Sequence, residues 1–265
     1  MRVTGRLGYG AMRLRTEPAP DRAGSVALLR RAVELGVTLI DTAHMYGWGA
    51  NEELIAEALH PYPENLLVAT KVGVSRPEGE WALDGRPEAL RAGVEQVLRR
   101  LRVERLDLVQ LHRIDPEVPL ADQLGTLREL QVAGSIGHIG LSEVSVAELA
   151  AARRIVDVAS VQNRYNVADR EHDAVLDAAA AAGIAFLPWR PVAVSGDTTE
   201  LTAVAAELDA TEAQVCLAWL LGRSPVMVPI PGTASIAHLQ ENVAATGLTL
   251  DDDQRRRLDG VAGRE

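Results

Sequence analysis

The 265-residue chain has a single cysteine, Cys216, so no disulfide can form within it. Cys216 lies in the apolar stretch VCLAWLL and reads as a small buried hydrophobe rather than a nucleophile. Aromatic residues make up only 3% of the chain, which leaves Ala, Val and Leu to do most of the packing. No run of apolar residues approaches the roughly 18 that mark a membrane-spanning helix, and the opening MRVTGRLGYGAMRL lacks the apolar core of a secretory signal. A cytoplasmic protein is therefore expected. Long basic runs are also missing, and the net charge is -10. That argues against nucleic acid or an anionic membrane as the main partner. It does not exclude a phosphorylated cofactor, because a few local donors can hold a phosphate. The six histidines are scattered with none at ligand spacing, so no metal site is expected. No Pro/Gly/Ser-rich segment marks a domain boundary, and the sequence predicts one domain spanning residues 1–265.

What the chain does have is alternation. Short β-rich runs at 7–12, 38–41, 67–71, 106–112, 136–142, 160–163, 185–188 and 226–230 alternate with segments of helical apolar spacing. Val26, Leu29, Ala32, Val33 and Leu35 mark one helix; Leu90, Val94, Val97, Leu98 and Leu101 mark another. Further helices are expected at 120–132, 146–156, 174–181, 211–221 and 236–245, with Ser25, Ser145 and Thr211 as helix-opening caps. Gly36, Gly134 and Gly183 follow helical runs as expected terminators. Eight such units without a linker predict a single (β/α)8 barrel, a TIM barrel, over a doubly wound sheet. The GxG of Gly8 and Gly10 falls inside the first strand and opens no helix, so it reads as backbone packing, not as a dinucleotide fingerprint.

Barrel enzymes carry their chemistry at the carboxyl ends of the strands. Asp41 ends TLID, Lys71 ends VATK, His112 ends LVQLH, and Tyr46 follows Asp41 in DTAHMYG. Each has an ordinary explanation alone: a turn cap, a solvated strand end, a core histidine, a rim aromatic. Together they suit carbonyl reduction. Hydride addition to a carbonyl carbon leaves an alkoxide that needs a proton, and a tyrosine near its ordinary value of ~10 gives up a proton readily only beside a cation. Lys71 supplies that charge, Asp41 holds the lysine, and His112 can donate to the carbonyl oxygen.

DTAHMYG, ATK, LVQLH, GHIGLSEVS, VQNRYN and IPGTASIAHLQENVAA together resemble the aldo-keto reductase superfamily, in order and spacing, from about Leu7 to Ala245. The resemblance implies a catalytic tetrad at Asp41, Tyr46, Lys71 and His112, with Tyr46 as general acid, and NADPH bound extended across the barrel mouth without a Rossmann domain. Ser142 and Gln162 match the residues that hold the nicotinamide carboxamide, while Glu143 stands where the family usually has Asn. Trp189 matches the aromatic that stacks on the nicotinamide, and Ser195 with Gly196 matches pyrophosphate contacts. Pro231, Gly232, Thr233, His238, Glu241 and Asn242 match the 2′-phosphate and adenine site. Many members have Lys where Gly232 stands and Arg where His238 stands, which weakens the expected selectivity; NADPH remains ahead of NADH.

The motifs look most like the bacterial pyridoxal reductase-like branch, implying an aldehyde reduced to its primary alcohol. The small-molecule carbonyl substrate is expected against His44, Met45, Trp48, Trp81 and Arg113, with His44 and Arg113 facing a phenolic or anionic group. Family members usually begin with a hairpin under the barrel, and only Met1 to Gly5 precede the first strand here. A tailoring ketoreductase, a nicotinamide-binding regulatory subunit and a non-redox barrel lyase or isomerase stay open as alternatives. Oligomeric state is not readable.

Overall fold

The computed structural model describes residues 5–261; Met1 to Thr4, within the short N-terminal lead of the sequence, lie outside the described residues. In chain order come β1 (Tyr9–Gly10), α1 (Ala19–Glu34), β2 (Leu39–Asp41), α2 (Ala50–Leu59) and β3 (Leu67–Val72). A small hairpin follows, β4 (Val74–Ser75) and β5 (Ala82–Leu83), then α3 (Pro87–Leu101), β6 (Leu106–Leu111), α4 (Leu120–Val132) and β7 (Ile136–Ser142). The chain continues through α5 (Val146–Ala152), β8 (Val158–Gln162), α6 (Asp173–Ala181) and β9 (Ala185–Phe186), and ends with α7 (Thr199–Glu207), α8 (Glu212–Arg223), α9 (Ile236–Ala244) and α10 (Asp252–Asp259). Seven strands form one curled sheet in the order β1-β2-β3-β6-β7-β8-β9. Every pair in it is parallel.

The expected eighth strand does not pair regularly, and proline explains why. Phe186 donates its N–H to Val226 O at 2.9 Å and accepts from Val228 N at 2.8 Å. On the other side, Gly8 and Gly10 donate to the carbonyls of Pro229 (2.8 Å) and Pro231 (3.1 Å). In a parallel ladder the return bond to the Gly8 carbonyl would come from the residue at 231, and a proline there has no N–H to give. The GxG also meets this segment: a Cβ on Gly10 would fall 2.6 Å from the Ile230 carbonyl oxygen, the close packing expected of it.

Helix boundaries follow local chemistry. Ser145 and Thr211 each complete a capping box, as their sequence context predicts. Ser25 does not cap. Prolines 18 and 20 start α1 earlier, where their missing N–H costs nothing, and Ser25 is buried mid-helix, exchanging two hydrogen bonds with the Arg15 backbone. Apolar spacing does not anticipate α2, α7 or α10. Seven of the ten residues of α2 are buried, the polar Asn51 and Glu52 among them, so its apolar spacing is blurred and only Glu53 and Glu57 mark the outer face, while α10 buries only Gln254 and Leu258.

Period-two alternation along the strands positions the site. Ile40, Val68 and Val109 face the helices, while Leu39, Ala69 and Leu108 pack with Leu187, Val228 and Ile230 inside the curl. Two residues further along the inward face stand Asp41, Lys71 and Gln110. At a register shift between Ile139 and Gly140, glycine makes room for this layer. A Cβ there would lie 2.2 Å from Ser160 Oγ and 2.9 Å from Gln110 Cγ. Gly140→Ala should therefore push Gln110 and Ser160 apart and destabilise the fold by about 1–3 kcal/mol in urea unfolding; an unchanged midpoint would contradict this packing.

Candidate functional site at the carboxyl ends of the strands

Lys71 and Asp41 form a buried ion pair on neighbouring strands, 1% and 3% exposed. Lys71 Nζ donates to Asp41 Oδ1 at 2.9 Å and Oδ2 at 2.8 Å, and to the Thr42 carbonyl at 2.9 Å. Asp41 Oδ1 also accepts from Gln162 Nε2 at 2.8 Å. Gln162 Nε2 donates in addition to Gln110 Oε1 at 3.0 Å, and Gln110 Nε2 to Ser160 Oγ at 3.1 Å. Burial pulls the Lys71 ammonium toward neutrality, but the attraction of Asp41 and then Tyr46 outweighs it, so its pKa is raised and the charge is retained.

Tyr46 opens a tight turn (Tyr46–Gly49) after β2, in which Gly47, Trp48 and Gly49 all take positive φ. The turn is anchored from below. Thr42 Oγ1 donates to Asn51 Oδ1 at 2.6 Å, Asn51 Nδ2 to the Ala11 carbonyl at 2.9 Å, and His44 N to the Lys71 carbonyl at 3.1 Å. Lys71 Nζ lies 5.2 Å from the Tyr46 ring centroid, and the His112 ring meets Tyr46 edge-on at 6.5 Å. Burial raises the Tyr46 pKa, opposed mainly by Lys71, so the phenol holds its proton at neutral pH. Burial, then Lys71 and Arg113, push the His112 imidazole down to about 2, and its Nδ1 is buried without a partner.

A cavity of about 720 Å³ lies over these groups. Of the residues named from sequence, Asp41, Met45, Tyr46, Trp81, His112, Arg113, Ser142, Gln162, Trp189 and Gly232 line it, with Lys71 buried beneath. His44 and Trp48 do not line it. Arg100 of α3 bonds His44 Nδ1 at 2.9 Å while pairing with the buried Glu52 at 3.2 Å, and the Arg76 guanidinium covers Trp48 at 5.5 Å. Ser195 lines a separate depression with Arg164 and Asn166. Pro231 and Thr233 are buried beyond Gly232; the Thr233 carbonyl accepts from Tyr9 at 2.6 Å. His238, Glu241 and Asn242 sit on α9, which Ser235 caps through the His238 N–H. Glu143 lies beside the cavity, where its carboxylate accepts from the Trp189 indole. Sequence reading missed Gln110 and Ser160, although alternation places Gln110 on the inward face of His112. It also missed Arg13 and Arg190, which line the cavity together with Arg113.

A buried Lys–Asp pair, a tyrosine and a neutral histidine thus meet under one cavity at the carboxyl ends of a parallel α/β sheet, where proton donors and acceptors stand within reach of a bound ligand. Comparison makes the class specific. A sequence model of the Aldo/keto reductase family matches residues 6–262, and the chain belongs to that family. An uncharacterized oxidoreductase of Schizosaccharomyces pombe is 43% identical, the match covering 97% of this chain and 86% of that protein. Pyridoxine 4-dehydrogenase of Escherichia coli is 42% identical, with 97% and 94% covered. The crystal structure of an aldo/keto reductase from Klebsiella pneumoniae in complex with NADP and acetate superposes with a TM-score of 0.86 at 28% identity, covering 97% and 90%.

The neutral burial of His112 has a measurable signature. Its unfolded pKa is the ordinary 6.5 and its folded one is about 2. Below pH 6.5 the unfolded state therefore binds the extra proton, and stability falls as pH drops through that window. In His112→Asn, unfolding free energy plotted from pH 6.5 down to about 4 should be shallower by up to about 1.4 kcal/mol per pH unit, one proton's worth. Equal slopes would mean that His112 is not held neutral.

Proposed function

We propose that the protein is an NADPH-dependent carbonyl reductase that converts an aldehyde or ketone to the alcohol, with Tyr46 as the proton donor. The carrying observation is the placement of a protonated tyrosine at a cavity wall, with a buried, charge-retaining Lys71–Asp41 pair behind it. We also read residues 226–231, hydrogen-bonded to β1 on one side and β9 on the other, as the eighth stave that completes a (β/α)8 barrel.

The residues fit a nicotinamide. Gln162 uses Nε2 toward Asp41 and Gln110, which leaves its carbonyl Oε1 to accept from a carboxamide N–H. Ser142 Oγ already accepts from Arg113 at 3.1 Å, which leaves its hydroxyl proton to donate to the carboxamide oxygen. Trp189 offers a flat face, and the arginines at 13, 113 and 190 supply charge for phosphates. The start of α9, with Thr233, His238, Glu241 and Asn242, is the reading for the adenosine end, since a helix N-terminus favours a phosphate. The NADP-bound Klebsiella pneumoniae neighbour supports a nicotinamide dinucleotide in this cavity, and NADPH ahead of NADH rests on the motif resemblance alone.

When bound, the cofactor supplies a hydride to the carbonyl carbon. Tyr46 donates its proton to the carbonyl oxygen as charge develops there, and regains one from solvent. Lys71 lowers the cost of the phenolate that forms, while Asp41 keeps the lysine in place. His112, being neutral, can offer an N–H to the same oxygen without bringing a net charge into the cavity. Met45, Trp81 and Arg113 form the substrate wall, and the Escherichia coli relative's name directs the reading to pyridoxal or a similar aldehyde.

Tyr46→Phe should lower kcat by about 10²–10⁴-fold while NADPH affinity, followed by quenching of tryptophan fluorescence, stays nearly the same. Lost cofactor binding with the turnover of bound enzyme preserved would assign Tyr46 a different role.

A further inference from the structure

Glu143 departs from the family's usual asparagine, and its carboxylate is occupied by protein groups. Oε1 accepts from the indole Nε1–H of Trp189 and from the backbone N–H of Arg164 at 2.7 Å. The residue takes a left-handed φ of 56° just past the end of β7, and its own N–H donates to the Gln162 carbonyl at 2.9 Å. Trp189 N in turn donates to the Asn163 carbonyl at 3.2 Å, and Asn163 Oδ1 accepts from Val144 N at 3.1 Å. One carboxylate thus joins the ends of three neighbouring strands to an indole that lines the cavity.

An indole has a single polar atom. A ring at the edge of a wide cavity can turn about two side-chain bonds unless that atom is held. An ionised acceptor holds it more strongly than a neutral amide. The same carboxylate has no proton to give to a carboxamide oxygen, so it cannot do what an asparagine N–H would do there. The remaining oxygen, Oε2, lies 3.9 Å from His172 Nε2, beyond hydrogen-bonding distance.

We propose that Glu143 is a positioning residue: it fixes the plane of the Trp189 ring before cofactor arrives, and influences the reaction through that ring rather than by touching the cofactor. This rests on the reductase reading for its kinetic part only.

The experiment compares Glu143→Leu, Glu143→Asp, Glu143→Gln and Trp189→Phe, and combines Glu143→Leu with Trp189→Phe. In cofactor-free protein, the near-ultraviolet circular dichroism lost in Trp189→Phe reports the immobilised indole. Glu143→Leu should lose that same signal, Glu143→Asp should lose most of it because its carboxylate no longer reaches, and Glu143→Gln should keep it. Kinetically, Glu143→Leu should lower kcat/KM for NADPH roughly tenfold, as for a lost charge-assisted hydrogen bond, with Glu143→Gln within about threefold of wild type. In the Trp189→Phe background the same Glu143→Leu change should cost less than about threefold, because coupled residues do not add. A full loss in both backgrounds would mean direct contact with the cofactor and overturn the proposal. So would a Trp189 signal intact in Glu143→Leu, or in Glu143→Asp should the leucine variant fail to fold. If the wild type turned over no carbonyl, the reductase reading would fall, while the cofactor-free spectra would still decide whether Glu143 holds Trp189.

Discussion

Two opposite charges buried at the ends of neighbouring strands constrain everything around them. Removing an ammonium and a carboxylate from water costs several kcal/mol each, and their attraction repays that only in good geometry with the remaining lone pairs satisfied. Lys71 meets the condition with three acceptors, and Asp41 with Lys71 and Gln162. The demand then spreads. Gln162 needs Gln110, Gln110 needs Ser160, and both need the space that Gly140 leaves. A one-residue slip of β3 against β2 would turn Lys71 to the helix side and leave Asp41 buried without a counter-charge. The pair is thus a register pin for the strands that carry the cavity.

Charge in the cavity follows from the same arrangement. Asp41 is paired with Lys71, while Arg13, Arg113 and Arg190 line the cavity of a strongly acidic chain and the Glu143 carboxylate acts on Arg113. Guanidinium groups lining a cavity favour an anionic group there. His112, pressed down by burial, Lys71 and Arg113, answers the same field by staying neutral.

Much of this was legible in the sequence because periodicity does not depend on distant residues. Alternating runs place Asp41, Lys71 and His112 at strand ends, and glycine and cap positions mark helix limits. What was not legible depends on partners far away in the chain. His44 was expected at the substrate wall, yet Arg100, 56 residues on, bonds its ring from behind. Ser25 looked like a cap until two prolines moved the helix start. The eighth strand was anticipated as regular, and the prolines that interrupt its pairing matter only once Gly8 and Gly10 are known to lie beside it. Glu143 read only as a departure from the family's asparagine; its bond to Trp189 spans 46 residues and no local pattern announces it.

The most direct test of the account follows the hydride itself. Pyridoxal and a set of simple aldehydes and ketones would be offered to the enzyme with NADPH carrying deuterium at both C4 positions of the nicotinamide, and the products weighed by mass spectrometry. The account predicts an alcohol with one deuterium on the former carbonyl carbon, formed as NADPH is consumed. Alcohol without the label, or no NADPH consumed with any carbonyl, would contradict it.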